Sequence, residues 1–166
     1  MTSKMNCTEL HEVIHASQER VWEVLFHQYG DVHIHNPTMV ASNYMEGDTK
    51  GELHSVRHCR FNEKLFADEK IVEVHGTDSF KIEVITHNLP FLQEMSAIYE
   101  VVAVGDNKTA LKMISCNSFK PDFMKFLMRG QLAKSLRKHL FGLKHYAEIG
   151  GIVTAENYAK LHKEHA

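Results

Sequence analysis

Residues 122–149, DFMKFLMRGQLAKSLRKHLFGLKHYAEI, form one amphipathic stretch without a proline. Leu132, Leu136, Leu140, Leu143 and Ala147 recur at helical spacing. The stretch is predicted to be a single helix, opened by Pro121 and terminated by Gly150-Gly151. About 27 helical residues are roughly 40 Å long, enough to cross a whole sheet diagonally. A helix of that length with one apolar stripe needs a broad apolar surface to lie on.

The preceding chain supplies such a surface. CTELHEVIHA (7–16) mixes β-branched and polar residues and is predicted to be a first strand. Ser17 is a helix N-cap, and QERVWEVLFHQY follows with Val21, Trp22, Leu25, Phe26 and Tyr29 on one face. Gly30 ends that helix, and Asp31 caps a short second one that stops before Pro37. From Thr38 to Ser118 come six strand-like runs: TMVASNYM, ELHSVRHCRF, LFADEKIVEV, SFKIEVITH, EMSAIYEVVAV and TALKMISCN. The segments between them have turn chemistry, and short connections make antiparallel neighbours. The expected fold is α+β, a helix-grip: a curved seven-stranded antiparallel sheet wrapped on a long C-terminal helix, with two short helices after strand 1. Residues 1–150 read as a single domain and 151–166 as a tail with a short peripheral helix.

At 166 residues the chain is long enough for a substantial core. Its formal net charge of -2 gives no overall basic field, so no nucleic-acid partner is expected. No apolar run approaches the roughly 18 residues of a membrane span, and no secretory h-region is visible near the N-terminus. Cys7, Cys59 and Cys116 are widely spaced and form no CxxC, so all three are expected as reduced thiols in a cytoplasmic protein. The 13 histidines invite a metal reading. On strands, however, the i,i+4 pairs His11/His15 and His54/His58 are too far apart to chelate. His33 and His35 have no carboxylate or cysteine beside them in a ligand pattern. Scattered surface and rim histidines are expected, with no metal and no cofactor.

The run SVRHCRFNEKLFADEKI (55–71) raises a sharper question, because Arg57 and Glu69 share a face with Cys59, Phe61, Leu65, Ala67 and Ile71. With Glu63 at the centre of the turn, opposed residues sum to 126 and Arg57 faces Glu69. A two-residue loop at Gly76-Thr77 then sets Glu69 opposite Val84. A three-residue loop at Gly105-Asp106-Asn107 sets Ala97 opposite Ser115 and Tyr99 opposite Met113. If the looser HNLPFLQ loop brings Val84 beside Ala97, the concave face shows a row of Arg57, Glu69, Val84, Ala97 and Ser115. Ile71, Ile82, Tyr99 and Met113 run beside it. A face packed tightly on a helix would fill with Leu, Ile and Phe. Ala67, Ala97 and Ser115 leave room, so a cavity is expected. A register slip of one residue would instead turn the ion pair to solvent. Facing inward, the pair is structural or orients a carboxylate or hydroxyl of a mainly apolar ligand. On the long helix, Phe123, Leu127, Gln131 and Ser135 step by four, with Met124, Met128 and Leu132 alongside. Such a stripe suits a packed core as well as a cavity wall, and Gly130 permits a bend or leaves space.

The order of elements and several short motifs resemble the SRPBCC, or START-like, superfamily. The nearest branch is similar to the bacterial polyketide cyclase/dehydrase and lipid-transport-like proteins. ASQERVWEVL resembles that branch's first helix, HNP its W-H-P turn, and SVRHCRF its G-x-V-R strand. DEKI resembles its x-E-R-L strand, NLP its x-L-P loop, and LRKHLFGLKHY the end of its C-terminal helix. The likeness spans roughly residues 8–150. His35 stands where a tryptophan is usual, which bears on the cavity mouth, and Glu63-Lys64 replaces an Asp-Gly turn. The resemblance implies a hydrophobic cavity between sheet and long helix, without selecting one activity.

The leading functional expectation is binding or carriage of a small hydrophobic molecule, lipid-like or polyketide/aromatic-like. The expected ligand-binding residues are Arg57, Glu69, Val84, Ala97, Tyr99, Met113, Ser115, Phe123, Leu127 and Gln131. The alternatives are a cyclase or dehydratase using Glu69, Tyr99 or a rim histidine such as His58 as acid or base, and a protein-interaction module with an incidental cavity. The chain is expected as a monomer or dimer without an integral membrane segment.

Overall fold

The computed structural model describes residues 4–165. The first three residues of the N-terminal stretch and the last residue of the tail lie outside that range. Strand β1 (Asn6–Ile14) leads into α1 (Gln18–Trp22), a π-helical turn (Glu23–His27) and a 3-10 helix (Tyr29–Ile34). Strands β2 (Ala41–Tyr44), β3 (Val56–Arg60), β4 (Phe66–His75), β5 (Ser79–His87), β6 (Leu92–Gly105) and β7 (Lys108–Phe119) follow. The long helix α2 (Met124–Ile149) and the tail helix α3 (Tyr158–His165) complete the chain. All strand pairs are antiparallel, in the order β1-β7-β6-β5-β4-β3-β2. This is the helix-grip arrangement.

Local chemistry sets the boundaries. The Ser17 hydroxyl accepts the Arg20 backbone N–H at 3.2 Å and caps α1. Gly150 closes α2 in the left-handed region, at φ 83°, where a side chain would be strained. The expected single helix over 18–29 is instead a short α-helix running into a π turn. Trp22 and Phe26 stack at 4.7 Å there, and both meet Phe80 edge-on. Phe80 stacks on Tyr99 at 5.1 Å, continuing the aromatic core across β5 and β6.

The pairing keeps the expected parity and changes the detail. Arg57 opposes Glu69 and Cys59 opposes Ala67, as the sum of 126 requires. Glu69 does oppose Val84, but by a different route. The turn pairs His75 with Ser79, so it holds three residues, and an irregularity between Ile71 and Glu73 restores the offset. Ala97 opposes Ser115 and Tyr99 opposes Met113. The link between these halves is displaced: Ala97 lies beside Ile82, two residues from the expected Val84. The β5–β6 ladder ends at Glu83–Ser96, although both strands continue beyond it. A shift of two preserves the face and moves the row along the strand.

The cysteine expectation is corrected. Cys7 and Cys116 are disulfide-bonded, directly opposed on β1 and β7. Their separation of 109 residues concealed the pairing, because the last strand returns beside the first. Only Cys59 is a free thiol, and it is buried.

Candidate functional site

A cavity of about 620 Å³ lies between the inward sheet face and the first half of α2. Arg57, Glu69, Val84, Ala97, Tyr99, Met113 and Gln131 all line it. Ala67 and Ala97 give it depth, since small side chains on the inward face leave the helix above them unmatched. Phe61, Leu65, Leu89, Phe91, Leu92 and Phe119 form much of its apolar wall.

Three expected residues are not on the wall. Ser115 is fully buried on the inward face of β7, a short side chain between Met113 and Asn117, and its Oγ has no hydrogen-bond partner. Phe123 and Leu127 are 59% and 67% exposed. The physical reason is helical phase. Four residues advance about 400°, some 40° beyond a full turn. Stepping back from Gln131 therefore rotates Leu127 by about 40° and Phe123 by about 80°, away from the cavity. The wall is made instead by Met128, Gln131, Leu132, Ser135, Leu136 and His139, which mix steps of three and four.

Arg57 and Glu69 mark the polar end. The Arg57 Nε–H donates to Glu69 Oε2 at 2.7 Å, and Nη2 lies 2.5 Å from the same oxygen. Arg57 Nη1 donates to the Tyr29 carbonyl at 3.1 Å, and the guanidinium sits 4.0 Å over the Tyr29 ring. The Tyr29 hydroxyl donates to the Glu69 carbonyl at 3.0 Å, closing a buried loop of contacts. Burial works against the charge on Arg57, and the Glu69 carboxylate overrides it, holding the guanidinium well above its ordinary value. Burial pushes the Cys59 thiol up, with Glu69 adding to the effect.

The residue that sequence reasoning missed is His139. It is buried, lines the cavity, and its Nε2 lies 3.0 Å from the Tyr99 hydroxyl. Burial, then the charge of Arg57, pulls its pKa down to about 3, so the imidazole is neutral. Burial also pushes Tyr99 well up, so the phenol stays protonated. The available signal was position: His139 follows Ser135 by four on the stripe that contains Gln131.

His35 is not at the mouth. It is buried, stacks 6.0 Å from His139, and borders a separate void of about 10 Å³ with Tyr29, Arg57 and Tyr99. His58 is also off the wall. It alternates with Arg57 and Cys59 along β3, and its Nδ1 meets Asp68 Oδ1 at 2.5 Å. Among the described residues no group of three or more His, Cys, Asp or Glu side chains is placed to hold a metal ion, and no helix is long and apolar enough to cross a membrane.

No protein-family model matches the chain, and no curated protein sequence does. Solved structures do. Truncated norcoclaurine synthase from Thalictrum flavum superposes with a TM-score of 0.65 at 13% identity, over 87% of this chain and 94% of that one. Ara h 8.0201 superposes with a TM-score of 0.70 at 12% identity, over 87% of this chain and 98% of that one. Both belong to the SRPBCC (START-like) superfamily, and neither is a bacterial polyketide cyclase. At these identities the likeness establishes architecture: the chain has the same helix-grip fold, with the cavity formed between its sheet and its long helix.

Proposed function

We propose that this protein binds and carries a small, mainly apolar molecule in the cavity beneath the first half of α2. The single observation that carries the reading is the cavity itself. Its volume of about 620 Å³ falls in the range of small-molecule sites, and its wall is mainly apolar with a few polar side chains. The apolar wall, with Phe61, Phe91 and Phe119, suits an aliphatic or aromatic body. Met95, Met113 and Met128 add flexible, polarizable surface that adapts to the guest's shape.

Binding is favoured over proton-transfer catalysis by the state of the polar groups. A general acid or base works best with a pKa near the working pH. His139 is pulled far below that range and Tyr99 far above it, while Arg57 and Glu69 neutralise each other. His58, the other acid-base candidate, lies off the cavity wall.

The test is a hydrophobic fluorescent dye with native mass spectrometry of the purified protein. The wild type is expected to bind the dye at one site per chain and to retain an apolar small molecule. Ala97→Phe, which fills the floor, is expected to lose dye binding at least about tenfold while remaining folded by circular dichroism. Equal dye binding in the two proteins, or turnover of the retained molecule, would overturn the reading.

A further inference from the structure

The polar end of the cavity has an unused acceptor and no unused charge. Glu69 Oε2 carries the whole contact with Arg57 and also receives the Cys59 thiol at 3.9 Å. Among the described residues nothing donates to the other oxygen, Oε1. Oε1 is also absent from the polar atoms sealed without a partner, which are His35 Nδ1, Ser115 Oγ, Ser118 Oγ and His139 Nδ1. Glu69 is only 7% exposed and forms part of the cavity wall, so the open surface of Oε1 faces the cavity. A carboxylate oxygen accepts hydrogen bonds and donates none.

The charges around it narrow the ligand class. Arg57 and Glu69 are the charged side chains of the cavity wall, and they cancel. Beside them Tyr99 and His139 are neutral: the Tyr99 hydroxyl meets His139 Nε2, and His139 Nδ1 is sealed away without a partner. A ligand carboxylate would approach Oε1 as a like charge, with the charge of the guanidinium already compensated by Glu69. A ligand ammonium would approach a carboxylate whose charge Arg57 already compensates, and would itself be desolvated. A hydroxyl meets neither obstacle. It donates to Oε1 in a charge-assisted hydrogen bond and brings no net charge into the cavity.

We infer that the cavity selects uncharged, hydroxyl-bearing apolar molecules, with Glu69 Oε1 as the acceptor that reads the hydroxyl and Arg57 as the residue that holds Glu69 in place. This rests on the cavity reading given above and specifies the ligand's head.

The experiment is dye displacement near pH 7 by three probes of equal chain length: decanol, decanoate and decyl methyl ether. Decanol is expected to bind the wild type at least about tenfold more tightly than the ether, the size of one hydrogen bond to a charged acceptor. Simple partition into an apolar cavity predicts the reverse, because the ether is the more apolar compound. Decanol is also expected to exceed decanoate by at least about tenfold. In Glu69→Gln the guanidinium loses its counter-charge, and decanoate is expected to overtake decanol. An ether that binds wild type as well as the alcohol overturns the inference and leaves the cavity reading standing. So does a Glu69→Gln protein that still prefers the alcohol. If Glu69→Gln does not fold, the wild-type comparison of alcohol and ether decides alone. A wild type that binds no dye removes the cavity reading, and this inference with it.

Discussion

From Leu136 to Ala147, helix α2 sinks into the core; from Met124 to Ser135, no residue of the same helix is buried. The two halves belong to one continuous helix, yet their surroundings differ at every level. The second half is tied down by polar contacts. Lys144 reaches Glu12 at 3.1 Å, and Arg20 donates to the carbonyls of Tyr146 and Ala147. Phe141 packs edge-on against Tyr158 of α3. Among the described residues the first half has one ion pair, the local Lys125–Asp122 contact at its start, and then bridges the cavity. The glycines repeat the contrast. A Cβ on Gly142 would lie 1.7 Å from the His35 carbonyl oxygen, whereas one on Gly130 would meet nothing within 4 Å. An apolar helical stripe therefore does not by itself specify a packed core: here one stripe serves as core at one end and cavity wall at the other.

The sharpest way to break this comparison is to strike the polar end beneath the open half. Arg57→Met leaves Glu69 as an unpaired buried charge and should cost about 3–5 kcal/mol. A double-mutant cycle with Glu69→Gln, read by urea unfolding, should show strong coupling. Additive losses below about 1 kcal/mol would place the pair in a solvent-like setting.

Paired truncations along α2 come next. Leu143→Ala, at a fully buried site, should cost about 2–5 kcal/mol. Leu127→Ala, at a site 67% exposed, should cost less than about 0.5 kcal/mol. Equal losses in thermal or urea unfolding would erase the distinction between the halves.

His139, at the junction of the two, gives a pH signature of intermediate size. Its native pKa of about 3 lies below the ordinary 6.5, so the unfolded chain takes up a proton that the native protein refuses. The associated stability is complete above about 6.5 and is lost as pH falls toward 3. Between about pH 7 and 5, wild type should lose about 2 kcal/mol more than His139→Gln. Parallel pH profiles would show that His139 is protonated in the fold.

The glycine pair gives effects that differ in sign. Gly142→Ala forces the helix off His35 and should cost about 1–3 kcal/mol. Gly130→Ala should stabilise by about 1 kcal/mol through helix propensity alone. Separately, thiol titration of the denatured, unreduced chain should find one free thiol, Cys59.

Much of this was legible in the sequence because it is local. Turn chemistry delimited the strands, and the short hairpin loop fixed Arg57 opposite Glu69 by counting. What failed was long-range or accumulated over distance. The meeting of Cys7 with Cys116 depends on the last strand returning to the first, which no local pattern encodes. The displacement of Ala97 from Val84 to Ile82 arose where a long loop left the register unspecified. Phe123 and Leu127 were lost to a phase error that grows with each four-residue step. His139 was hidden among 13 histidines, and of the three buried ones, His35, His139 and His145, it is His139 that lines the large cavity.

The early end of the β5–β6 ladder has a consequence for water. Beyond Glu83 and Ser96 the two strands run on toward His87 and Leu92 without continuing their mutual pairing. Each remains bonded on its far side: Glu69–Val84 and Ala67–His87 join β5 to β4, and Met95–Asn117 and Leu92–Phe119 join β6 to β7. The sheet is thus slit from one end, midway across its width, and Val84, Leu92 and Met95 along the slit are also cavity-wall residues. Backbone groups directed into the slit must find solvent in place of a neighbouring strand. Amide hydrogen exchange should therefore alternate along these segments, fast for N–H groups turned to the slit and slow for those turned to β4 or β7. Fast exchange at the slit-facing groups would show water reaching the cavity wall between two strands, independently of α2.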